Sequence, residues 1–452
     1  MHAPTTSINP PPDASVLAVQ YRATTLGMVV LVALMAFESL AVAAAMPTVA
    51  QALDGLRLYA LAFGGVLATS VIGMTVAGRL CDQQGPARPL WLGLGFFIAG
   101  LLVAGLATRM DVLVGGRLLQ GMGIGAISVS LYVLVARTFP EALRPKVFAA
   151  FSAGWVVPSL VGPSISGLIV QYLGWRWVFL LVPVLAIPAA LLLVPALRAS
   201  AQDVRRTTTA RPVVRWAVGT ALAALALYVG GQQHGVVAVA LVGAALGSLV
   251  FCCRHLLPVG TLRLARGLPS VIALRGIAAS AFFAAEAFLP LLLQRERDLS
   301  PLWAGAALSM GALGWFAGSW FQGHQRHGWT RSQLVRTGAW MMCVGLLVTS
   351  LTLQQGVPLL LALAGWSLTG LGMGLIYPSL SVLTLSMSAP HEQGANSSAR
   401  QLSEGVAVAT ALALSGSLFA AFVDGRETVG YLLCFTVTLV LALLGTVVAR
   451  RI

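Results

Sequence analysis

Charge is what this sequence has least of. Only 9% of its 452 residues are Asp, Glu, Lys or Arg, against roughly a quarter in soluble domains, while 58% are hydrophobic. So few charges cannot cover the surface of the three soluble domains that the length alone would allow. Lysine is almost missing: Lys146 is the single one among 28 basic residues. The five cysteines (Cys81, Cys252, Cys253, Cys343 and Cys434) form no Cys-x-x-Cys and no cluster with His, so neither a disulfide framework nor a metal site is expected. A Walker lysine loop, a His-Glu-x-x-His pair and a nucleophile elbow are all absent, so no cofactor is expected and the chain does not read as an enzyme. Gly121-Met-Gly123-Ile-Gly125 has a nucleotide-loop spacing but lies inside an apolar run. Residues 1–23, polar and carrying Pro10-Pro11-Pro12, lack a cleavage pattern and read as a disordered cytoplasmic tail.

Apolar runs fill the rest, from about Thr24 to Ile452. A helix crosses the hydrocarbon core with about 20 apolar residues. Runs of that length lie near 24–50, 58–80, 89–108, 112–136, 147–172 and 176–197, and again near 270–294, 301–322, 333–353, 357–387, 398–422 and 428–449. Between the groups, a run over 215–252 is interrupted by Gly230-Gly231-Gln232-Gln233-His234-Gly235, consistent with one long helix or a tight hairpin. Basic residues decide, because they concentrate in cytoplasmic loops. With a hairpin, 21 of the 28 fall on one side, six on the other, and Arg117 inside a span. A single central helix would invert the second group and erase that bias. The expectation is therefore an all-α polytopic membrane protein of 14 spans, grouped six, two and six, with both termini cytoplasmic. A hairpin lying in the interface would keep the same bias with twelve crossings. The predicted organisation is a tail (1–23), a six-helix bundle (24–197), basic linkers with two additional transmembrane helices (198–269) and a second six-helix bundle (270–452). The net charge of +14 then reflects topology, and no nucleic-acid partner is expected.

The two groups resemble each other. Gly78-Arg-Leu-Cys-Asp82-Gln-Gln-Gly85-Pro-Ala-Arg88 joins the second and third spans, and Gln325-Arg-His-Gly328-Trp-Thr-Arg331 stands at the equivalent place of the second group. Pro140-Glu141 and Pro390-His391-Glu392 both break the chain between fourth and fifth spans. Parallel six-helix halves with a site between them are one architecture of secondary transporters.

Four segments carry a resemblance to the major facilitator superfamily, and to its fourteen-span drug:proton antiporter branch, over essentially the whole chain. Gly78, Asp82, Gly85 and Arg88 are similar to the loop signature that latches the halves on the cytoplasmic side. Leu113-Val-Gly-Gly-Arg117-Leu-Leu-Gln120-Gly121-Met-Gly123 resembles the fourth-span motif with its buried arginine. Gly154, Pro158, Gly162, Pro163 and Gly167 resemble the fifth-span antiporter motif, whose implied role is a seal against leakage. Glu38 through Pro47 has the first-span acid-to-proline spacing. Glu38 stands where that branch usually has Asp, Ser166 replaces a glycine, and Gln83 occupies a position that is often basic.

Residue chemistry gives these positions content. Glu38 lies ~21 Å along its helix, near mid-membrane, where desolvation favours the neutral carboxyl and suits a proton carrier. Arg117, ~9 Å below the outer surface, cannot shed its proton and needs an acid or a water cavity; Glu38 is the acid expected within reach. Glu286, ~12 Å from the outer end, is a candidate second proton site or an attractor of cationic substrate. Glu404 is expected to pair with Arg400 one turn away. Phe37, Trp155, Phe282, Phe283, Trp315 and Met373 are candidate pocket residues. Trp175-Arg176-Trp177 fits an interfacial belt.

The resemblance implies a monomeric, proton-coupled exporter of hydrophobic or amphipathic small molecules in the bacterial inner membrane, working by rocking of the halves. A lipid, siderophore or metabolite transporter on the same fold, or a non-transporting membrane sensor, remains the alternative.

Overall fold

Residues 15–140, 143–200, 213–231, 233, 235–324, 328–354, 356–389, 393–422 and 427–452 are described in the computed structural model. Most of the expected tail, Glu141, the Gln325-Arg326-His327 stretch, Pro390-His391-Glu392, Gln232 and His234 lie outside the described residues, as does the Asp82 side chain.

The described residues form α-helices and no strand. In lipid every backbone N–H and C=O must be satisfied within the segment, and long helices do this. The first group is α1 (Arg22–Ala52), α2 (Tyr59–Gln84), α3 (Ala87–Gly105), α4 (Met110–Thr138), α5 (Arg144–Tyr172) and α6 (Arg176–Leu191), followed by the short α7 (Val194–Ser200). A central hairpin holds α8 (Val213–Gly231) and α9 (Gly235–Leu256). The second group is α10 (Leu268–Arg295), α11 (Pro301–His324), α12 (Arg331–Ser350), α13 (Leu359–Ser386), α14 (Gln393–Ala420) and α15 (Glu427–Val448). Among the described residues, twelve helices are long and apolar enough to cross a membrane: α1–α5, α8–α10 and α12–α15. α6 is apolar with 16 residues, and α11 has 24 residues without joining the twelve.

Residues 15–23 depart from the expected tail. The Thr25 hydroxyl donates to the Val16 carbonyl at 2.8 Å, and Tyr21 packs on Phe139 with ring centroids 4.9 Å apart, so this stretch is pinned to the basic end of α4.

The repeat is structural. α4 packs on both α2 and α3, and α13 packs on both α11 and α12. Small residues permit this approach. A methyl added at Gly116 would stand 2.7 Å from the Gly100 carbonyl oxygen of α3, and one at Gly338 would stand 2.7 Å from the Gly372 carbonyl oxygen of α13. The groups meet along α2–α14 and α5–α11, with α1 touching α10 and α11.

The helices alternate in direction, so Arg79, Arg88, Arg137, Arg144, Arg254, Arg331 and Arg450 cluster at one end of the bundle, here the basic end. Hydrogen bonds between the groups lie toward the far end. The Tyr59 hydroxyl donates to the Ala287 carbonyl at 2.6 Å, Ser164 and Ser309 hydroxyls lie 3.3 Å apart, and Gln294 reaches Thr48 at 3.3 Å and the Ala44 carbonyl at 3.5 Å. α8 lies along the α2–α14 seam, its Ala217, Ala221 and Ala224 packed with Val71 and Val406, and at the far end the Tyr228 hydroxyl donates to the Arg57 carbonyl. Its partner α9 is largely exposed.

Candidate functional site

Two charged residues meet inside the first group. Glu38 is fully buried and Arg117 is 3% exposed. The Arg117 guanidinium donates to Glu38 Oε1, to Gln120 Oε1 at 2.6 Å, and through Nε to the Ala62 carbonyl at 3.0 Å. The pair thus joins α1, α2 and α4. Glu38 Oε2 is buried without a hydrogen-bond partner. The carboxylate is anchored at one oxygen and bare at the other. A proton added at Oε2 would cancel its charge and weaken its hold on Arg117, which would keep Gln120 and Ala62 as acceptors.

Glu286 stands apart on α10, partly exposed and with no ion pair or hydrogen bond. Phe283 lies one turn before it. Phe282, expected to line a pocket, is only 2% exposed: it stacks on Trp366 at 4.8 Å and meets Trp315 edge-on at 5.3 Å. Its role is packing, whereas Phe283 and Trp315 keep part of their surface. Met373 is fully buried, Phe37 partly buried and Trp155 48% exposed.

The fifth-span motif lies between α1 and α11. A methyl at Gly154 would stand 3.3 Å from the Val29 carbonyl oxygen of α1, and one at Gly162 would meet Phe37 in ordinary contact at 3.5 Å. At Gly167 it would stand 2.6 Å from the Leu302 Cα of α11. Ser166, in the place of a glycine, donates to the Ala41 carbonyl at 2.6 Å and ties α5 to α1. Pro158 and Pro163 lie inside α5.

The loop signature is mostly helix. The sequence reading places Asp82, Gly85 and Arg88 in one short turn, but α2 runs through Gln84. The turn itself is Gly85, whose φ of 82° terminates α2, followed by Pro86. That backbone region is open to glycine and strained for other residues. Gly78 faces open space, and Arg88 donates to Gln84 Oε1 at 2.8 Å across the turn. An apolar run continues to the last helical turn, which is why the chain stays helical further than its motif suggests.

Glu404 does not pair with Arg400. Its Oε2 accepts from Arg275 Nε of α10 at 2.7 Å, and its Oε1 accepts from the Tyr377 hydroxyl of α13 at 2.7 Å. The Arg275 guanidinium lies 3.2 Å from the Tyr377 ring centre. Arg400 donates instead to the Ser381 hydroxyl. The cross-helix partner wins because Arg275 projects from a neighbouring helix with its fork already stacked on Tyr377. The sequence pattern paired Glu404 with Arg400 and left Arg275 out of the cluster. The available signal was its position, already inside the run 270–294.

Comparison with known proteins agrees with this architecture. Residues 26–411 match the sequence profile of the Major Facilitator Superfamily. The chain is 27% identical over 416 residues to the probable multidrug-efflux transporter Rv1634 of Mycobacterium tuberculosis, covering 88% of this chain and 87% of that one. It is 26% identical over 385 residues to the multidrug transporter protein MdtP of Bacillus subtilis, covering 83% and 71%. Among solved structures it resembles an auto-inhibited POT family peptide transporter, with a TM-score of 0.68 at 18% identity over 94% of this chain and 97% of that one. A family profile spanning most of the chain and an architecture of two groups of six helices make this chain a transporter of the Major Facilitator Superfamily.

Proposed function

We propose that the chain exports hydrophobic or amphipathic small molecules in exchange for protons, with Glu38 as the proton carrier. The observation that carries this reading is the buried Glu38–Arg117 pair with its unpartnered Oε2. A carboxylate and a guanidinium this deep are expensive to insert, and removing one member strands the other. A proton at Oε2 relaxes the pair and frees α1 against α4; its loss draws them together. Relatives named for multidrug efflux support the substrate class.

In this reading fourteen helices cross a bacterial inner membrane, α6 and α11 included, with the basic end cytoplasmic. The structure then represents a conformation closed on the outside through Tyr59–Ala287, Ser164–Ser309 and Gly167 against Leu302. Loosening that seal while the Gly85 turn and its neighbours close the cytoplasmic end would complete the cycle.

The test is efflux of an amphipathic dye from proteoliposomes under an imposed pH gradient, wild type beside Glu38→Gln. Gradient-driven movement by wild type and none by the variant is expected. Dye movement that ignores the gradient, or a fully active variant, refutes the proposal.

A further inference from the structure

The cluster on α10, α13 and α14 near the basic end is not used by the proton-exchange reading, yet it is charged and unbalanced. It holds two guanidinium groups, Arg275 and Arg400, against one carboxylate, Glu404. Glu404 and the Tyr377 ring are committed to Arg275. Arg400 has only the neutral Ser381 hydroxyl, and its Nε is buried without a partner. Glu404 acts on Arg400 only from a distance, without an ion pair, and a cation inside a membrane helix without a directly paired acid normally faces a cavity or a ligand.

The opposite wall belongs to the other half of the molecule. Tyr132 of α4 lies within electrostatic reach of Arg400, Arg275 and Glu404, is 47% exposed, and makes no hydrogen bond. A phenol without a hydrogen bond on one half thus lies near a guanidinium with an unpartnered nitrogen on the other.

An apolar surface leads away from these groups. Tyr377 meets Trp315 edge-on at 4.8 Å, and Trp315 in turn meets Phe283 at 6.3 Å. Beyond Phe283 stands Glu286. Arg275 and Glu286 are separated by three helical turns and share one face of α10, ~16 Å apart along its axis. The lining is thus cationic at one end, aromatic in the middle and acidic at the other. An elongated molecule with a single anionic group fits it in one direction only, because Glu286 repels a second anion.

We propose that Arg400, supported by Arg275 and faced by Tyr132, binds the anionic headgroup of an amphipathic molecule whose apolar body lies along Trp315 and Phe283. The inference rests on the export reading and narrows its substrate class to amphipathic anions. Glu404 and Tyr377 act as positioning residues: they hold the Arg275 fork and leave Arg400 as the open donor. A carboxylate or phosphate oxygen here gains charge-assisted hydrogen bonds, which are about twice as strong as neutral ones.

The test uses the full chain in lipid nanodiscs and calorimetric binding of three naphthyl compounds of similar size: naphthylacetate, naphthylethanol and naphthylethylammonium. Wild type is expected to bind naphthylacetate at least about tenfold more tightly than the alcohol, with the ammonium weakest. Arg400→Gln should abolish that preference, the loss falling mainly on naphthylacetate. Glu404→Gln, which removes the charge that holds the Arg275 fork, should reduce the preference for naphthylacetate without abolishing it. Should Arg400→Gln fail to fold, Arg400→Lys retains the charge without the fork and is expected to keep part of the preference. Equal wild-type affinity for all three compounds, or a parallel loss of all three in the Arg400 variants, overturns the proposal. Discs with phosphatidylglycerol separate the sources: a preference that survives there identifies a dissolved amphiphile, and one that is competed away identifies a lipid headgroup in the same site. Absence of gradient-driven efflux with the preference intact sinks the export reading alone; efflux without the preference sinks this site alone.

Discussion

Removing the Glu38 charge while keeping its shape is the sharpest perturbation the structure offers. In Glu38→Gln the amide oxygen can still accept from Arg117, and Arg117 keeps Gln120 and the Ala62 carbonyl as acceptors. What vanishes is the counter-charge of a guanidinium that is 3% exposed. An ion pair reduced to a hydrogen bond between the guanidinium and a neutral amide loses about 1–2 kcal/mol, whereas Glu38→Ala, which removes the acceptor as well, should lose about 3–5 kcal/mol. The double variant Glu38→Leu with Arg117→Met removes both charges and should recover to within about 1 kcal/mol of wild type, because an apolar replacement of a buried pair is often neutral. Transport should not recover with it. Thermal unfolding in detergent or discs gives the stability order, and pH-gradient-driven efflux in proteoliposomes gives function. A double variant that pumps as wild type does would refute proton exchange at Glu38, and equal unfolding temperatures for all four proteins would refute the buried-pair energetics.

Three further outcomes are expected. Gly167→Ala should force α5 from α11 at the far end and raise passive dye leak through the vesicle wall, whereas Gly162→Ala, in ordinary contact with Phe37, should leave leak unchanged. Gly85→Ala should lower stability by about 1–3 kcal/mol in thermal unfolding, since φ is 82° there. Glu286→Gln should raise efflux of a dianionic amphiphile several-fold while a mono-anionic one moves at the wild-type rate; parallel loss of both would show that the carboxyl serves the cycle rather than the cargo.

Much of the fold was legible because lipid imposes a coarse rule. Apolar runs of fixed length between basic clusters outlined both groups of six helices and the central hairpin, and α1 begins at Arg22 beside the predicted Thr24. Glu38 and Arg117 drew attention for the same reason, since charges in such runs are rare. Partner choice was less legible. Spacing along one helix made Arg400 the neighbour of Glu404, but Arg275, far away in sequence, reached it first. Phe282 and Phe283 look alike in sequence, and only packing made one a core ring and the other part of a lining. The loop signature likewise gave the glycine of the turn but not the length of the helix before it.

By itself, the sequence determined that this chain lives in a bilayer as helices, how the groups repeat and where its rare charges sit, because those follow from local hydrophobicity and alternation. The tertiary structure decided which charges meet, which seam is closed and how the hairpin bridges α2 and α14. Those depend on contacts between helices distant in sequence, where a neutral surface and a shared face count for more than spacing.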